Sequence, residues 1–251
     1  MSRYVALGSS MAAGPGIRPT APGAPLGSGR SARNYPHLVA EQLGLDLVDV
    51  TFSGATTANV LTERQRSAPP QIEALDGSED VVTITIGGND VGYVPLLMGA
   101  SLPGLARRLP AIRELLDRDA RVKALDGIGD ALRAVGTAVR QRAPQARVMF
   151  VDYLTLLPPA GVPAAPLSAD DTKLGRLVAA RLEEATSEAA QATGCAVVRA
   201  GQASRDHHAW SPDPWTVAAG WPLPWRPAPF HPNAAGMRAV ADLITRQAGS
   251  V

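Results

Sequence analysis

Five short apolar runs alternate with helical patterns along the chain, and this alternation limits the possible folds most. The predicted strands are Tyr4–Gly8, Leu45–Phe52, Val81–Ile86, Arg147–Val151 and Ala196–Arg199. Continuous apolar runs such as Val-Val-Thr-Ile-Thr-Ile are typical of parallel strands that are covered on both faces. The alternation therefore predicts an α/β fold with a mainly parallel sheet and right-handed crossovers.

Helical patterns fill the segments between these runs. We predict helices over Asn34–Gly44, over Leu105–Arg142 as two helices broken near Lys123 or Gly127, over Ser168–Gly194 and over Asn233–Ala248. Ser168 is a suitable N-cap, and Gly194 is suited to a helix exit. The 251 residues contain no repeat and no linker, so we expect one domain over residues 1–251.

Composition excludes several classes of partner. The net charge is +1, from 24 Lys and Arg against 23 Asp and Glu, which gives no support for nucleic acid or an anionic membrane as a partner. The single cysteine, Cys195, allows no internal disulfide, and no Cys/His cluster has metal-ligand spacing. We therefore expect no metal and no cofactor, and the sequence does not predict the oligomeric state.

The start of the chain and its apolar runs bear on location. The first residues lack the features of a signal peptide, and no apolar run approaches the ~18 residues of a membrane span. The expected location is the cytoplasm, with secretion left open if the sequence has lost a leader.

The segment Gly201–Pro229 departs from the alternation. It contains all four tryptophans and six prolines, which argues against long regular structure. Two interpretations stay open: the indoles pack the loop onto the surface, or the loop forms a wall of an apolar substrate site. In the second interpretation, Trp215 and Trp225 are the candidates that contact substrate.

Polar residues follow the predicted strands at the points where an α/β sheet binds ligands. Ser9 and Ser10 follow the first strand, Gly54 follows the second and Asn89 follows the third, while His231 precedes the last helix. A hydroxyl, a glycine N–H, an amide and an imidazole are the groups that acyl transfer requires.

These motifs resemble those of the SGNH hydrolases, also called GDSL-type esterases and lipases. Gly8-Ser9-Ser10-Met11 corresponds to the Gly-Asp-Ser-Leu motif, Gly54 to the second motif, Gly87-Gly88-Asn89-Asp90 to Gly-x-Asn-Asp, and Ala228-Pro229-Phe230-His231 to Asp-x-x-His. The order, spacing and placement of the motifs agree along essentially the whole chain.

The resemblance implies a flavodoxin-like three-layer α/β/α sandwich with a five-stranded sheet. It implies that Ser10 is the nucleophile, that His231 is the general base, and that the Ser10 N–H, Gly54 N–H and Asn89 amide form the oxyanion hole. The implied reaction is hydrolysis of a carboxylic ester in a small-molecule or acylated substrate.

Two departures from the family pattern need a physical account. Ser9 replaces an aspartate that holds the nucleophile loop, and a hydroxyl can supply one such hydrogen bond. Ala228 replaces the aspartate that orients the histidine, and we expect the backbone carbonyl of Ala228 to accept the Nδ1–H instead. A carboxylate reaching in from Asp206 or Asp213 is the alternative.

Three functions therefore stay open. The first is a serine esterase or lipase-like acyl hydrolase. The second is an acyltransferase that uses the same dyad with a sugar or natural-product hydroxyl as acceptor. The third is a non-catalytic binding protein on a flavodoxin-like sheet.

Overall fold

Five parallel strands form one sheet in the computed structural model, which describes residues 2–221, 223 and 226–248. The strands are β1 Arg3–Gly8, β2 Asp46–Asp49, β3 Val81–Thr85, β4 Arg147–Val151 and β5 Ala196–Val198. Their order across the sheet is β2-β1-β3-β4-β5, and all four neighbouring pairs are parallel. This is the order of the flavodoxin-like doubly wound fold, so the predicted fold class is confirmed.

Ten α-helices lie within the described residues, together with 3₁₀ turns at Gln71–Ala74 and Ala106–Arg108. The helices are α1 Ser10–Ala13, α2 Tyr35–Leu43, α3 Thr57–Leu61, α4 Tyr93–Ala100, α5 Pro110–Leu116, α6 Arg118–Asp126, α7 Ile128–Arg142, α8 Ala169–Ala192, α9 Ala200–Ala203 and α10 Ala234–Ala248. None of the helices in this part of the chain is long and apolar enough to cross a membrane.

The region predicted as two helices between Leu105 and Arg142 contains three. The predicted break at Gly127 is present, but a further break occurs at Asp117. The Asp117 side chain accepts a hydrogen bond from the N–H of Ala120, so this residue acts as an N-cap and starts a new helix. The predicted cap of α8 is confirmed, because the Ser168 side chain accepts from the N–H of Asp171.

The apolar core lies on both faces of the sheet. Successive residues of β1 alternate between the two faces: Val5 and Leu7 pack with α7 and α8, whereas Tyr4 and Ala6 pack with α2 and α10. All four β1 residues are fully buried. The molecule therefore has three layers, and the carboxyl ends of the strands meet at one edge of the middle layer.

Candidate active site

The loop that carries Ser9 and Ser10, the predicted nucleophile loop, begins where β1 passes close to β3. Gly8 has φ +152°, and a Cβ at this position would lie 2.6 Å from the carbonyl oxygen of Thr85. The side chain of Gln71 holds both backbone groups of Gly8, with its amide oxygen 2.7 Å from the N–H and its amide nitrogen 3.0 Å from the carbonyl. The chain therefore leaves the sheet in a fixed direction at Ser9 and Ser10.

Ser10 and His231 form a hydrogen-bonded pair. The Ser10 Oγ lies 2.7 Å from the His231 Nε2, although 221 residues separate them in sequence. Both side chains are largely buried, with 8% exposure for Ser10 and 7% for His231. The Nδ1 of His231 lies 2.8 Å from the backbone carbonyl oxygen of Pro229. Because a carbonyl can only accept, Nδ1 carries the proton and Nε2 is free to accept from the serine hydroxyl.

The prediction that the Ala228 carbonyl orients His231 is therefore wrong by one residue. The Ala228 carbonyl instead accepts the backbone N–H of His231 at 3.2 Å, which closes a four-residue turn. Pro229 occupies the second position of this turn, and Phe230 occupies the third with φ +59°. Within the turn, the Pro229 carbonyl is the one that faces the imidazole.

Phe230 holds this turn in an uncommon backbone conformation. A bulky residue with positive φ costs on the order of 1–3 kcal/mol and persists only where the surroundings fix it. Phe230 is fully buried, and its backbone N–H donates to the carbonyl of Val217 at 2.8 Å. The packing of Phe230 thus maintains the turn that orients the histidine.

No carboxylate within the described residues contacts the His231 ring. Asp213, one predicted alternative, pairs with His207, whose Nδ1 lies 2.8 Å from the Asp213 carbonyl and 3.3 Å from its carboxylate. Asp206, the other alternative, lies near His208 and raises the pKa of that residue against a larger effect of burial. The arrangement is a serine–histidine dyad with a carbonyl in the place of the acid.

The pKa of His231 is lowered from its ordinary value. The main cause is burial, which disfavours the imidazolium, and the hydrogen bond to the Pro229 carbonyl opposes the shift. A neutral imidazole is the form that can accept the proton of the Ser10 hydroxyl.

The loops after β2 and β3 are fastened to each other. The Asn89 Nδ2 donates to the carbonyl of Ala55 at 2.8 Å, and the Asp90 carboxylate accepts from the N–H of Thr57 at the start of α3. Immediately before Ala55, Gly54 adopts φ +83° at the third position of a turn closed by the Ala55 N–H. Glycine suits this position because L side chains rarely adopt positive φ.

Each predicted oxyanion donor keeps a hydrogen that has no acceptor among the described residues. Among the described residues, the N–H groups of Ser10 and Gly54 make no hydrogen bond with the protein, and Asn89 uses only one of its two amide hydrogens. These donors follow three adjacent strands, so they lie at the same edge of the sheet.

An apolar cavity of about 590 Å³ lies beside Phe230. Its walls come from α4, from the segment after α4, from α5 and from the tryptophan-containing loop; representative lining residues are Pro95, Met98, Leu102, Ile112 and Trp221. The lining is mainly apolar, and the volume lies in the range of sites for small ligands, roughly 300–1,000 Å³.

Of the two tryptophans predicted to contact substrate, Trp215 is the one that lies within the described residues. Trp215 does not line this cavity; its ring stacks on His207 with a centroid distance of 4.0 Å and packs against the apolar core beside α10. Trp225 lies outside the described residues. The loop nevertheless contributes Trp221, which is 79% exposed at the cavity.

The structure thus places a hydrogen-bonded serine–histidine pair at the carboxyl end of a parallel sheet in a three-layer α/β fold. The chain belongs to the GDSL-like lipase/acylhydrolase family, whose model matches residues 6–239. It is accordingly a carboxylic ester hydrolase of the GDSL type.

Curated relatives and solved structures agree with this assignment. The chain is 34% identical to "Lipase 2" of Streptomyces coelicolor over 252 residues, covering 95% of this chain and 83% of the relative. It is 26% identical to an extracellular lipase of Streptomyces rimosus, with full coverage of both chains and a TM-score of 0.80. A phospholipase A1 of Streptomyces albidoflavus, 24% identical with 99% coverage of both chains and a TM-score of 0.78, shares the fold.

Proposed function

We propose that Ser10 and His231 hydrolyse carboxylic esters as a catalytic dyad. The observation that carries the proposal is the chain of two hydrogen bonds from Ser10 Oγ through the imidazole to the Pro229 carbonyl, at 2.7 and 2.8 Å. His231 accepts the hydroxyl proton while Oγ attacks the ester carbonyl carbon, and the imidazolium then protonates the departing alcohol. Water then attacks the acyl-enzyme while His231 accepts its proton, and the imidazolium returns this proton to Ser10 Oγ as the acid is released.

The negative charge of the tetrahedral intermediate is stabilised by the N–H groups of Ser10 and Gly54 and by the Asn89 amide. These donors support the proposal because they are preorganised by the turn at Gly54 and by the bond from Asn89 to Ala55. Preorganised donors stabilise the transition state without any cost of reorientation during the reaction.

The acyl part of the substrate is assigned to the cavity beside Phe230. Its apolar lining favours a hydrocarbon chain, and Phe230 immediately precedes His231 in the chain. The substrate class is therefore a small ester with an apolar acyl group. Transfer to another hydroxyl uses the same dyad, so we expect added alcohols to reveal any transferase activity through a new ester product.

The neighbouring serines provide a matched test of the dyad. Ser10→Ala should lower kcat by about 10⁴-fold or more, because the covalent route is lost. Ser9→Ala removes the adjacent hydroxyl and should cost far less. The measurement is steady-state hydrolysis of a p-nitrophenyl ester, and the opposite ranking of the two variants would place the nucleophile at Ser9.

We further propose that the protein acts outside the cell. The S. rimosus relative is described as an extracellular lipase, which favours secretion over the cytoplasmic location expected from the sequence. Immunodetection in separated culture medium and cells of the source organism tests this location. Protein confined to the cells would support the cytoplasmic prediction instead.

A further inference from the structure

Ser9 stands at the position where the family has an aspartate, and its hydroxyl has one side-chain partner. Ser9 is 1% exposed, and its Oγ lies 3.1 Å from the hydroxyl oxygen of Tyr153. Tyr153 follows β4, so the contact joins the ends of β1 and β4 although 144 residues separate the pair.

The same Tyr153 hydroxyl contacts a second loop of the site. It accepts the backbone N–H of Gly88 at 3.0 Å, and Gly88 precedes Asn89. Gly88 permits this approach because a Cβ there would lie 2.6 Å from the tyrosine ring and hydroxyl. One hydroxyl is therefore hydrogen-bonded to the residue before the nucleophile and to the residue before the oxyanion amide.

The Tyr153 hydroxyl can form hydrogen bonds to both loops at the same time. Burial raises the pKa of Tyr153 to about 12, so the group stays protonated at neutral pH and keeps both its donor and its acceptor capacity. With the Gly88 N–H donating to the oxygen, the phenolic hydrogen is available to Ser9.

We propose that Tyr153, through its hydrogen bonds to Ser9 and Gly88, is a positioning residue that fixes the distance between the loop that carries Ser10 and the loop that carries Asn89. The inference rests on the proposed function of Ser10 and Asn89. Without the bridge, the backbone of Ser9 stays attached to the end of β3, because its N–H donates to the Thr85 carbonyl at 2.9 Å. The hydroxyl that joins the residues immediately before Ser10 and Asn89 is lost, so these two groups are less tightly fixed relative to each other. Small displacements of reacting groups are costly, at about 10²-fold for 1 Å.

The chain supplies a matched control in Tyr93. Its ring packs edge-on against that of Tyr153 with centroids 6.5 Å apart, and it is 1% exposed. The Tyr93 hydroxyl makes no hydrogen bond with any described residue, in contrast to that of Tyr153. Tyr93→Phe therefore removes the same group from the same aromatic pair without breaking the bridge.

The test compares kcat and KM for Tyr153→Phe, Tyr93→Phe, Ser9→Ala and the Ser9→Ala/Tyr153→Phe double variant. Rates are divided by the concentration of active sites, titrated with a fluorophosphonate, so that loss of folded protein does not count as loss of catalysis. Tyr153→Phe should lower kcat about 10- to 100-fold with KM within about 3-fold of the parent. Tyr93→Phe should leave kcat and KM within about 3-fold of the parent. The kcat of the double variant should lie within about 3-fold of the kcat of the less active single variant, as expected for groups that act as a unit.

Two results would overturn the inference. The first is that Tyr153→Phe and Tyr93→Phe have the same kcat per active site and that Tyr153→Phe lowers only the thermal midpoint. This would mean that the Tyr153 hydroxyl contributes to stability alone. The other is a double-variant loss equal to the product of the single losses. If Tyr153→Phe does not fold, Ser9→Ala decides: an unchanged kcat contradicts the bridge, and about a 10-fold loss at an unchanged thermal midpoint supports it. Activity retained by Ser10→Ala would instead refute the proposed function.

Discussion

Removal of the Asn89 side chain tests the oxyanion hole directly. One amide hydrogen of Asn89 is used by the Ala55 carbonyl at 2.8 Å, and the other is available to substrate. Asn89→Ala thus removes one donor to the intermediate and one bond that holds the Gly54 loop. The two losses affect different measurements, so they can be separated.

The catalytic loss should be the larger of the two. Loss of one oxyanion donor typically lowers kcat by about 10²–10³-fold, which corresponds to roughly 2.7–4 kcal/mol of transition-state stabilisation. The structural hydrogen bond contributes about 0.5–1.5 kcal/mol to the free energy of unfolding. For a chain of this size, 1 kcal/mol shifts the Tm by roughly 2–4 °C. We therefore expect a large fall in kcat with a shift of only a few degrees in Tm.

Gln65 provides the matched control for this loss. Its amide nitrogen donates to the carbonyl of Ser53 at 2.9 Å, so it fastens the same turn from the other side of Gly54. Gln65→Ala should lower Tm by a similar amount and leave kcat within about 3-fold, because it removes a loop contact and no assigned oxyanion donor. Steady-state kinetics and thermal unfolding of both variants give the comparison. A change confined to KM in Asn89→Ala, or equal losses of kcat in the two variants, would refute this role for Asn89.

Three further expectations follow from the dyad and the cavity. Because burial lowers the pKa of His231, the acid limb of the pH profile of kcat/KM should lie below pH ~6.5, the pKa of an ordinary histidine. The free energy of unfolding should decrease as the pH falls through the same range, because His231 binds a proton more readily in the unfolded chain than in the folded one. Asp206→Asn and Asp213→Asn should each keep kcat within a few-fold of the parent, whereas a loss near the ~10⁴-fold scale of a triad aspartate would mean that a carboxylate supports the histidine. Trp221→Ala should lower kcat/KM for long-chain esters by roughly 10-fold more than for acetate esters. Trp215→Ala should lower the thermal midpoint and change kcat/KM equally for esters of all acyl chain lengths. The reverse pattern would assign substrate contact to Trp215.

The sequence predicted the sheet well because each strand has a local signal. Arg147–Val151 has the predicted bounds, and Val81–Thr85 differs by one residue. The second strand was predicted to extend to Phe52 but ends at Asp49, where the Asp49 side chain accepts from the N–H and hydroxyl of Thr51. The N–H groups of Val50 and Phe52 still donate to the carbonyls of Ala6 and Gly8, so hydrogen bonding to β1 continues beyond the end of the strand as far as the predicted boundary.

The site was predictable only as far as its residues carry motifs. Ser10, Asn89 and His231 stand in recognisable stretches, and the structure brings the serine and the histidine together. The supporting groups carry no such signal, because Gln71 and Tyr153 reach the nucleophile loop across 63 and 144 residues. Only long-range packing determines those contacts.

The carbonyl group that orients His231 also could not be predicted from the sequence. Ala228 and Pro229 both have carbonyl groups near His231, and their order in the chain does not say which one faces the ring. The choice depends on the turn geometry, in which the Ala228 carbonyl is used by the His231 N–H and Phe230 adopts a positive φ. A positive φ at a phenylalanine is too uncommon to expect without the structure.

Covalent labelling with a fluorophosphonate, mapped by mass spectrometry of the digested protein, tests the central claim most directly. The reagent reacts with a serine hydroxyl only where a base activates it and donors stabilise the phosphonyl oxygen. The dyad predicts one adduct per chain, on Ser10, with labelling abolished in Ser10→Ala and strongly slowed in His231→Ala. An adduct on Ser9, or a parent protein that hydrolyses esters but takes up no label, would contradict the assignment of Ser10 as the nucleophile.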